Sequence, residues 1–384
     1  MIVAVLFLAL GAAAIAYGFL LLVAGDKGWR EIEGASGEVS AAGDFVLLYN
    51  VGAGAVSAGT ENRALSSLYK QTARKAYQLF TSDEGFEGLN NVYSLNARPN
   101  EEQVVDAALY AAFEQLSAYK SRALYLGAIY EFYDDIFLTT DDAYAQEFDP
   151  RRSSETAEYY SRIAAFANDP ASIELELLGE GRVRLQVSAE YLAFAQENGI
   201  TKLIDFTWMK NAFIADYLAG EIASQGYTLG CLSSYDGYTR SLSENESYAL
   251  NIYDRGTIAA VMEYREPTAT VTLRSYPMNG MDARRFYEYR NGEGRTPYMG
   301  ADGLDHAAIA DLMVYSRTKG CAEILLSILP LYVSERFDSA RLGELPSAGL
   351  YSVWCEEDRL CYTEPDILFT ELHDAYTAAY VPER

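Results

Sequence analysis

The chain changes its hydrophobic pattern sharply near residue 25. From Ile2 to Ala24 no position carries a charged side chain, and the first charge is Asp26. About 20 apolar residues at ~1.5 Å each cross the hydrocarbon layer of a bilayer, so this run predicts a membrane-inserting helix. No basic residue precedes it and Leu22-Val23-Ala24 is a poor cleavage end, which favours an anchor, or an uncleaved signal, over a cleaved one. Residues 26–43 are rich in Gly, Ser, Ala and charge and read as a linker. The remaining 44–384 form the folded part.

There the periods alternate between helix and strand. FVLLYNVGAG is a strand that stops at glycines. Leu65, Leu68, Tyr69, Ala73, Ala76, Tyr77 and Phe80 recur at helical spacing over 61–80. A second helical face over 101–119 carries Val104, Val105, Ala108, Leu109, Ala112, Phe113 and Leu116. SIELELL and RVRLQV alternate with period two around Gly179-Glu180-Gly181, a hairpin signal. Residues 212–225 read as a helix closed by Gly226. Strands are expected at 227–234, 248–254, 257–264, 268–273 and 310–316, with a helix at 320–332. YSVWCEEDRLCY reads as two short strands around a polar turn. No regular βαβ period emerges, so the pattern predicts an α+β or mixed α/β fold.

Composition narrows the partners. The 384 residues carry a formal charge of −25, which argues against nucleic acid or anionic lipid binding through a broad basic surface. Half the chain is hydrophobic, with 31 Tyr and 16 Phe, enough for a sizeable core. Cys355 and Cys361 either bridge across their hairpin in an oxidising compartment or are simply small apolar strand residues. Lys27 and Arg30 would by themselves draw the end of the apolar run to the cytoplasm.

Generic chemistry is sparse. His306 and His373 are the only imidazoles, and neither is spaced like a zinc site. No phosphate-binding glycine loop or nucleophile elbow occurs. Asp134-Asp135 and Asp141-Asp142 read as solvated loop charges, and Asn245-Glu246-Ser247 fits a glycosylation acceptor.

Segment order goes further. LIDFTWMKNAFIADYLAGEIASQGYTLGCLSSYDGYTRSL at 203–242 resembles the D-x-G-x-x-A-K-G-x-x-x-D helix and G-[YF]-T-x-G turn of the FAD:protein FMN transferases, the ApbE family. Asp205, Asp216, Gly226, Tyr227, Thr228 and Gly230 fall at the same spacings. GLNNVYSLNARPN resembles that family's Asn-containing turn, and LGAIYEFYDDIF its G-A-[VI] element. ATVTLRSY, RTPYMGADGL and KGCAEILLSIL resemble its T-S-G-x-Y strand, H-I-I-D-P loop and metal-binding helix. The resemblance implies a T-fold-related mixed sheet and an elongated FAD cleft. It also implies a divalent cation, Mg²⁺, on the pyrophosphate and transfer of FMN to a Thr or Ser of a partner protein.

Carried over position by position, the resemblance implies that Asp205, Lys210, Asp236 and Thr272 bind the cofactor and that Glu323 and Ser327 hold the metal. The differences are as telling. Asn211 stands where the lysine belongs, Ala212 and Thr207 where glycines belong, and Tyr235-Asp236-Gly237 replaces a Gly-Gly turn. Leu273, Arg274 and Ser275 fill the T-S-G-x-Y strand between Thr272 and Tyr276. Pro297, Tyr298 and Ala301 replace two His and an Asp. Glycines let backbone approach phosphate, and side chains at Tyr235 and Arg274 would occupy that space.

The expectation is therefore a membrane-anchored, catalytically impaired relative that serves as a flavin-binding or scaffold module with an envelope protein partner. An active Mg²⁺-dependent transferase and a non-flavin ligand-binding protein are the alternatives. By the same resemblance the domain lies outside the bacterial cytoplasmic membrane, on a single pass.

Overall fold

The computed structural model describes residues 27–34, 39–53, 56–138, 141–243, 247–264 and 266–383. The expected anchor at 2–24 and Asn245-Glu246 lie outside them. Among the described residues, no helix is long and apolar enough to cross a membrane.

Nine strands form the central sheet, and their order in space equals their order in the chain. They are β1 (Gly28–Glu31), β2 (Phe45–Val51), β3 (Gly230–Ser234), β4 (Tyr238–Ser241), β5 (Ala269–Arg274), β6 (Asp311–Ser316), β7 (Tyr351–Glu356), β8 (Arg359–Tyr362) and β9 (Thr377–Tyr380). Neighbours run antiparallel except the last pair, β8 with β9. The mixed sheet and α+β class agree with the sequence reading. In the stretch read as a linker, Gly28–Glu31 instead makes the edge strand, and Ile32, Ala41 and Ala42 are buried.

Helices cover one face. The apolar stripe of α1 (Ala58–Phe80) buries Leu65, Tyr69, Ala73, Ala76, Leu79 and Phe80, and Ser57 caps its start. α5 (Lys210–Ser224), the last of the 58–224 insertion between β2 and β3, lies between α1 and α6 (Cys321–Tyr332) and against β3 and β4. It is apolar on nearly every side: Phe213, Ile214, Leu218 and Ile222 are fully or almost fully enclosed, each contributing on the order of 2 kcal/mol through burial. Between α1 and α5 run α2 (Ala107–Ala118), α3 (Gly127–Tyr133) and α4 (Ser154–Asn168). The expected helix at 101–119 begins only at Ala107, because Glu102–Val104 pairs with Arg182–Arg184 and Asp106 caps the helix.

A small sheet covers the other face. Tyr248–Asp254, Thr257–Tyr264 and Leu368–Leu372 enclose a second core with Met313, Tyr315, Val353 and Leu360. Both sequence-read hairpins form: Ile173–Gly179 with Arg182–Val187, turning on left-handed Glu180 and Gly181, and β7 with β8. The latter settles the cysteines. Cys355 pairs with Leu360 and Cys361 with Trp354, so the two thiols point to opposite faces of the sheet. Both are free, and burial pushes the Cys355 thiol up to about 12.

Candidate functional site

Two of the sequence segments singled out above converge on the loop that carries Asp205. Asn96 accepts from the Leu203 and Ile204 amides at 3.0 Å and donates to the Ile204 carbonyl at 2.9 Å. Gly127 opens α3 directly against that loop, where a Cβ would stand 2.6 Å from the Lys202 carbonyl oxygen. Asn and Gly are needed here to hold and admit backbone.

Asp205 is buried, and both its oxygens are taken: one accepts from Ser82 Oγ at 2.7 Å, the other from the Thr207 amide at 2.9 Å. Thr207 sits at φ +43°, a conformation that suits glycine and strains a β-branched residue. Trp208 follows, its indole donating to Tyr130 Oη at 3.2 Å and its ring edge-on to Tyr298 at 4.8 Å.

These groups wall a cleft of about 260 Å³. Phe80, Tyr130, Tyr133 and Trp208 supply aromatic surface. Asp83, Asp134, Asp205, Lys202, Lys210, Arg284 and Arg285 supply charge, and Pro297 closes one side. A second hollow of about 690 Å³, beside Tyr93, Asn96, Pro99 and Leu203, shares Ser82, Asp83 and Lys202 with the cleft as lining residues.

The charges differ in their commitments. Lys202 donates to Asp83 at 2.6 Å and lies 3.8 Å from Asp205. Burial opposes its charge, yet Asp83, Asp205 and Asp134 together raise its pKa. Desolvation pushes the Asp134 carboxyl up to about 6, with Lys202 opposing and Asp205, Asp83 and Asp135 assisting. This acid, read from sequence as a solvated loop charge, lines the cleft. Lys210 and Arg284 have no acidic partner among the described residues.

Asp236 lies beside the cleft and is clamped by the Arg285 guanidinium and by Asn211 Nδ2 at 3.1 and 3.2 Å. Arg285 also lies 4.0 Å from Asp44. A cation from the 282–285 turn therefore answers Asp236 beside Asn211. Thr272 is further along, on β5, its amide donating to the Gly237 carbonyl at 2.9 Å. Gly237, at φ +104°, packs so tightly on the Thr272 carbonyl that no Cβ fits. Neither Tyr235 nor Arg274 lines the cleft, and Arg274 turns instead to Asp282 at 3.4 Å.

Glu323 and Ser327 share one face of α6 but are not among the cleft-lining residues. Glu323 lies 3.5 Å from Lys319 Nζ, and Ser327 Oγ donates to the Glu323 carbonyl at 2.7 Å. At the start of that helix Asp216 accepts from the Cys321 and Ala322 amides at 2.8 and 2.9 Å and from Arg240 at 2.6 Å. The carboxylate rests against Gly320 and leaves no room for a Cβ there. Sequence reasoning missed Arg284, Arg285, Lys202 and Asp83, since nothing in their spacing ties them to residue 205. Among the described residues no three His, Cys, Asp or Glu side chains are grouped to hold a metal ion.

No known protein family matches the chain by sequence, and no curated protein does. Solved structures match by shape. The ApbE protein of Thermotoga maritima superposes with TM-score 0.59 at 13% identity, covering 85% of this chain and 93% of its own. The flavin transferase ApbE of Vibrio cholerae does so with TM-score 0.56 at 12% identity, covering 91% and 99%. The cleft beside Asp205 is therefore carried on the fold of the ApbE flavin transferases.

Proposed function

We propose that this chain is a flavin-nucleotide-binding module of ApbE fold in which transfer of FMN to a protein hydroxyl is impaired. The observation that carries this reading is the cleft itself. Its aromatic wall of Tyr130, Tyr133 and Trp208 suits a flat ring system, and cationic Lys210 and Arg284 stand beside it for phosphate. A second hollow adjoins it across Ser82, Asp83 and Lys202. Flavin, when bound, supplies its own redox chemistry; the chain's residues bind and orient it.

Impairment is supported by how the expected transfer residues are employed. Mg²⁺ requires several oxygens in near-octahedral array. Ser327 donates its hydroxyl to its own helix, Glu323 faces Lys319, and each oxygen of Asp205 already accepts one hydrogen bond. In the same reading the domain sits outside a bacterial cytoplasmic membrane, held by the 2–24 run and facing an envelope partner. Trp29, 47% exposed on β1 and five positions past Ala24, supports this, since tryptophan favours the bilayer interface.

The test is titration of the purified full-length chain in detergent with FAD, followed by incubation with a Thr-containing acceptor protein. Saturable binding at ~100 µM or tighter, equivalent to about −5.5 kcal/mol, is expected, with no FMN attached to the acceptor. Absence of binding removes the flavin reading. A covalently flavinylated acceptor removes the impairment.

A further inference from the structure

We infer that the cleft beside Asp205 holds the phosphates of its ligand with two side-chain cations, Lys210 and Arg284, in place of a divalent metal ion. The inference rests on this cleft being the ligand site proposed above, and it names what grips the ligand there.

The cations are the first part of the argument. What singles out Lys210 and Arg284 is place: both line this cleft, and neither has an acidic partner among the described residues. Lys202 and Arg285 line the same cleft, but Asp83 and Asp236 already neutralise them. Lys210 and Arg284 remain, on two separate elements that border one space. Arg284 is presented by a fixed turn: Asn279 Oδ1 accepts from the Met281 and Asp282 amides at 3.0 and 2.8 Å, and Asp282 accepts from the Met278 amide at 3.0 Å. Lys210 opens α5, so the helix dipole adds to its positive field. A diphosphate approached from both sides would gain charge-assisted hydrogen bonds from each.

The acids are the second part. A metal-bridged pyrophosphate needs carboxylates with free lone pairs facing the cleft. Each Asp205 oxygen already accepts one hydrogen bond, from Ser82 and from Thr207; Asp236 is clamped by Asn211 and Arg285, and Asp83 engages Lys202. Asp134 is the least committed of these acids, and its raised pKa lowers the charge it opposes to a phosphate as pH falls toward 6. The donor set of this cleft therefore fits an anion held by cations better than a cation held by anions.

The full-length chain is titrated with FAD, with riboflavin and with inorganic pyrophosphate, each in EDTA and in excess Mg²⁺. FAD and pyrophosphate are expected to bind equally in both buffers. Lys210→Ala and Arg284→Ala are each expected to weaken FAD and pyrophosphate about tenfold and to leave riboflavin, which has no phosphate, unchanged. Unchanged riboflavin affinity also reports that the variants are folded; Lys210→Gln and Arg284→Gln serve if the alanine variants are unstable. Binding of FAD or pyrophosphate that appears only with Mg²⁺ overturns the inference and leaves the flavin reading standing. Variants that bind FAD and pyrophosphate like the parent overturn it as well. Pyrophosphate binding in EDTA without any flavin binding upholds the inference and removes the flavin reading. Failure of all three ligands removes both.

Discussion

The starts of α5 and α6 carry the same kinds of residue and use them oppositely. At α5, Thr207 is held in a strained backbone, and Lys210 lines an open cleft without an acidic partner, as does Arg284. At α6, Asp216 satisfies the first two amides and is neutralised by Arg240, while Glu323 and Ser327 are occupied by Lys319 and by their own helix. One helix start has spare valence and the other has none. A polar residue becomes a ligand-binding group when the surrounding fold leaves its bonds unfilled, and a structural one when a neighbour takes them.

The largest test of this contrast is Asp216→Ala. It orphans two helix amides and leaves Arg240 partly buried and unpaired, and a loss of about 3 kcal/mol is expected in urea denaturation. A loss below about 1 kcal/mol would show that α6 does not depend on that cap. Thr207→Gly works in the other direction at α5. Relief of the left-handed strain outweighs glycine's extra chain entropy, giving a gain of about 1 kcal/mol; a destabilised variant would mean that no strain is stored there.

Asp134 tests the cleft by pH. Its carboxyl is pushed up to about 6 in the folded chain, against about 3.9 unfolded. Between those values the folded state binds more protons, so this group's contribution makes stability fall as pH rises from about 4 to about 6. Asp134→Asn should match the parent at acidic pH and exceed it at neutral pH by up to ~1 kcal/mol, discounted because Asp134 lies in an open cleft where part of the residue still meets solvent and screens its charge. A variant with the parent's pH slope would place the titration elsewhere. The smallest effect is expected for Ser327→Ala, less than about 0.5 kcal/mol in stability and no change in FAD affinity in Mg²⁺. A marked loss of Mg²⁺-supported FAD binding would return Ser327 to a metal-binding role.

Much of this architecture was legible in the chain. The strands at 248–254 and 257–264, both hairpins and the helices beginning near 58, 210 and 321 follow from period and punctuation, because burial on one face imposes the pattern locally. One feature was misread for a local reason as well, and one that the sequence left open was decided by register. Val104 fits a helical stripe, but Glu102–Val104 gains a strand partner at Arg182–Arg184 that no local window contains. Cys355 and Cys361 flank a turn, yet a register offset by one residue turns them to opposite faces.

Of the site, the sequence by itself determined which residue types stand at which spacing: Asp205 before a helix, Lys210 and Asn211 at its start, Glu323 and Ser327 one turn apart. Those spacings are set along the chain and survive any packing. Only the tertiary structure decided that Arg285 answers Asp236, that Asp216 closes the start of α6, and that Lys210 and Arg284 share one cleft. Each of these joins residues at least 24 positions apart. Hydrogen bonds and ion pairs act over a few ångströms of space, and only the folded chain fixes which distant groups come that near.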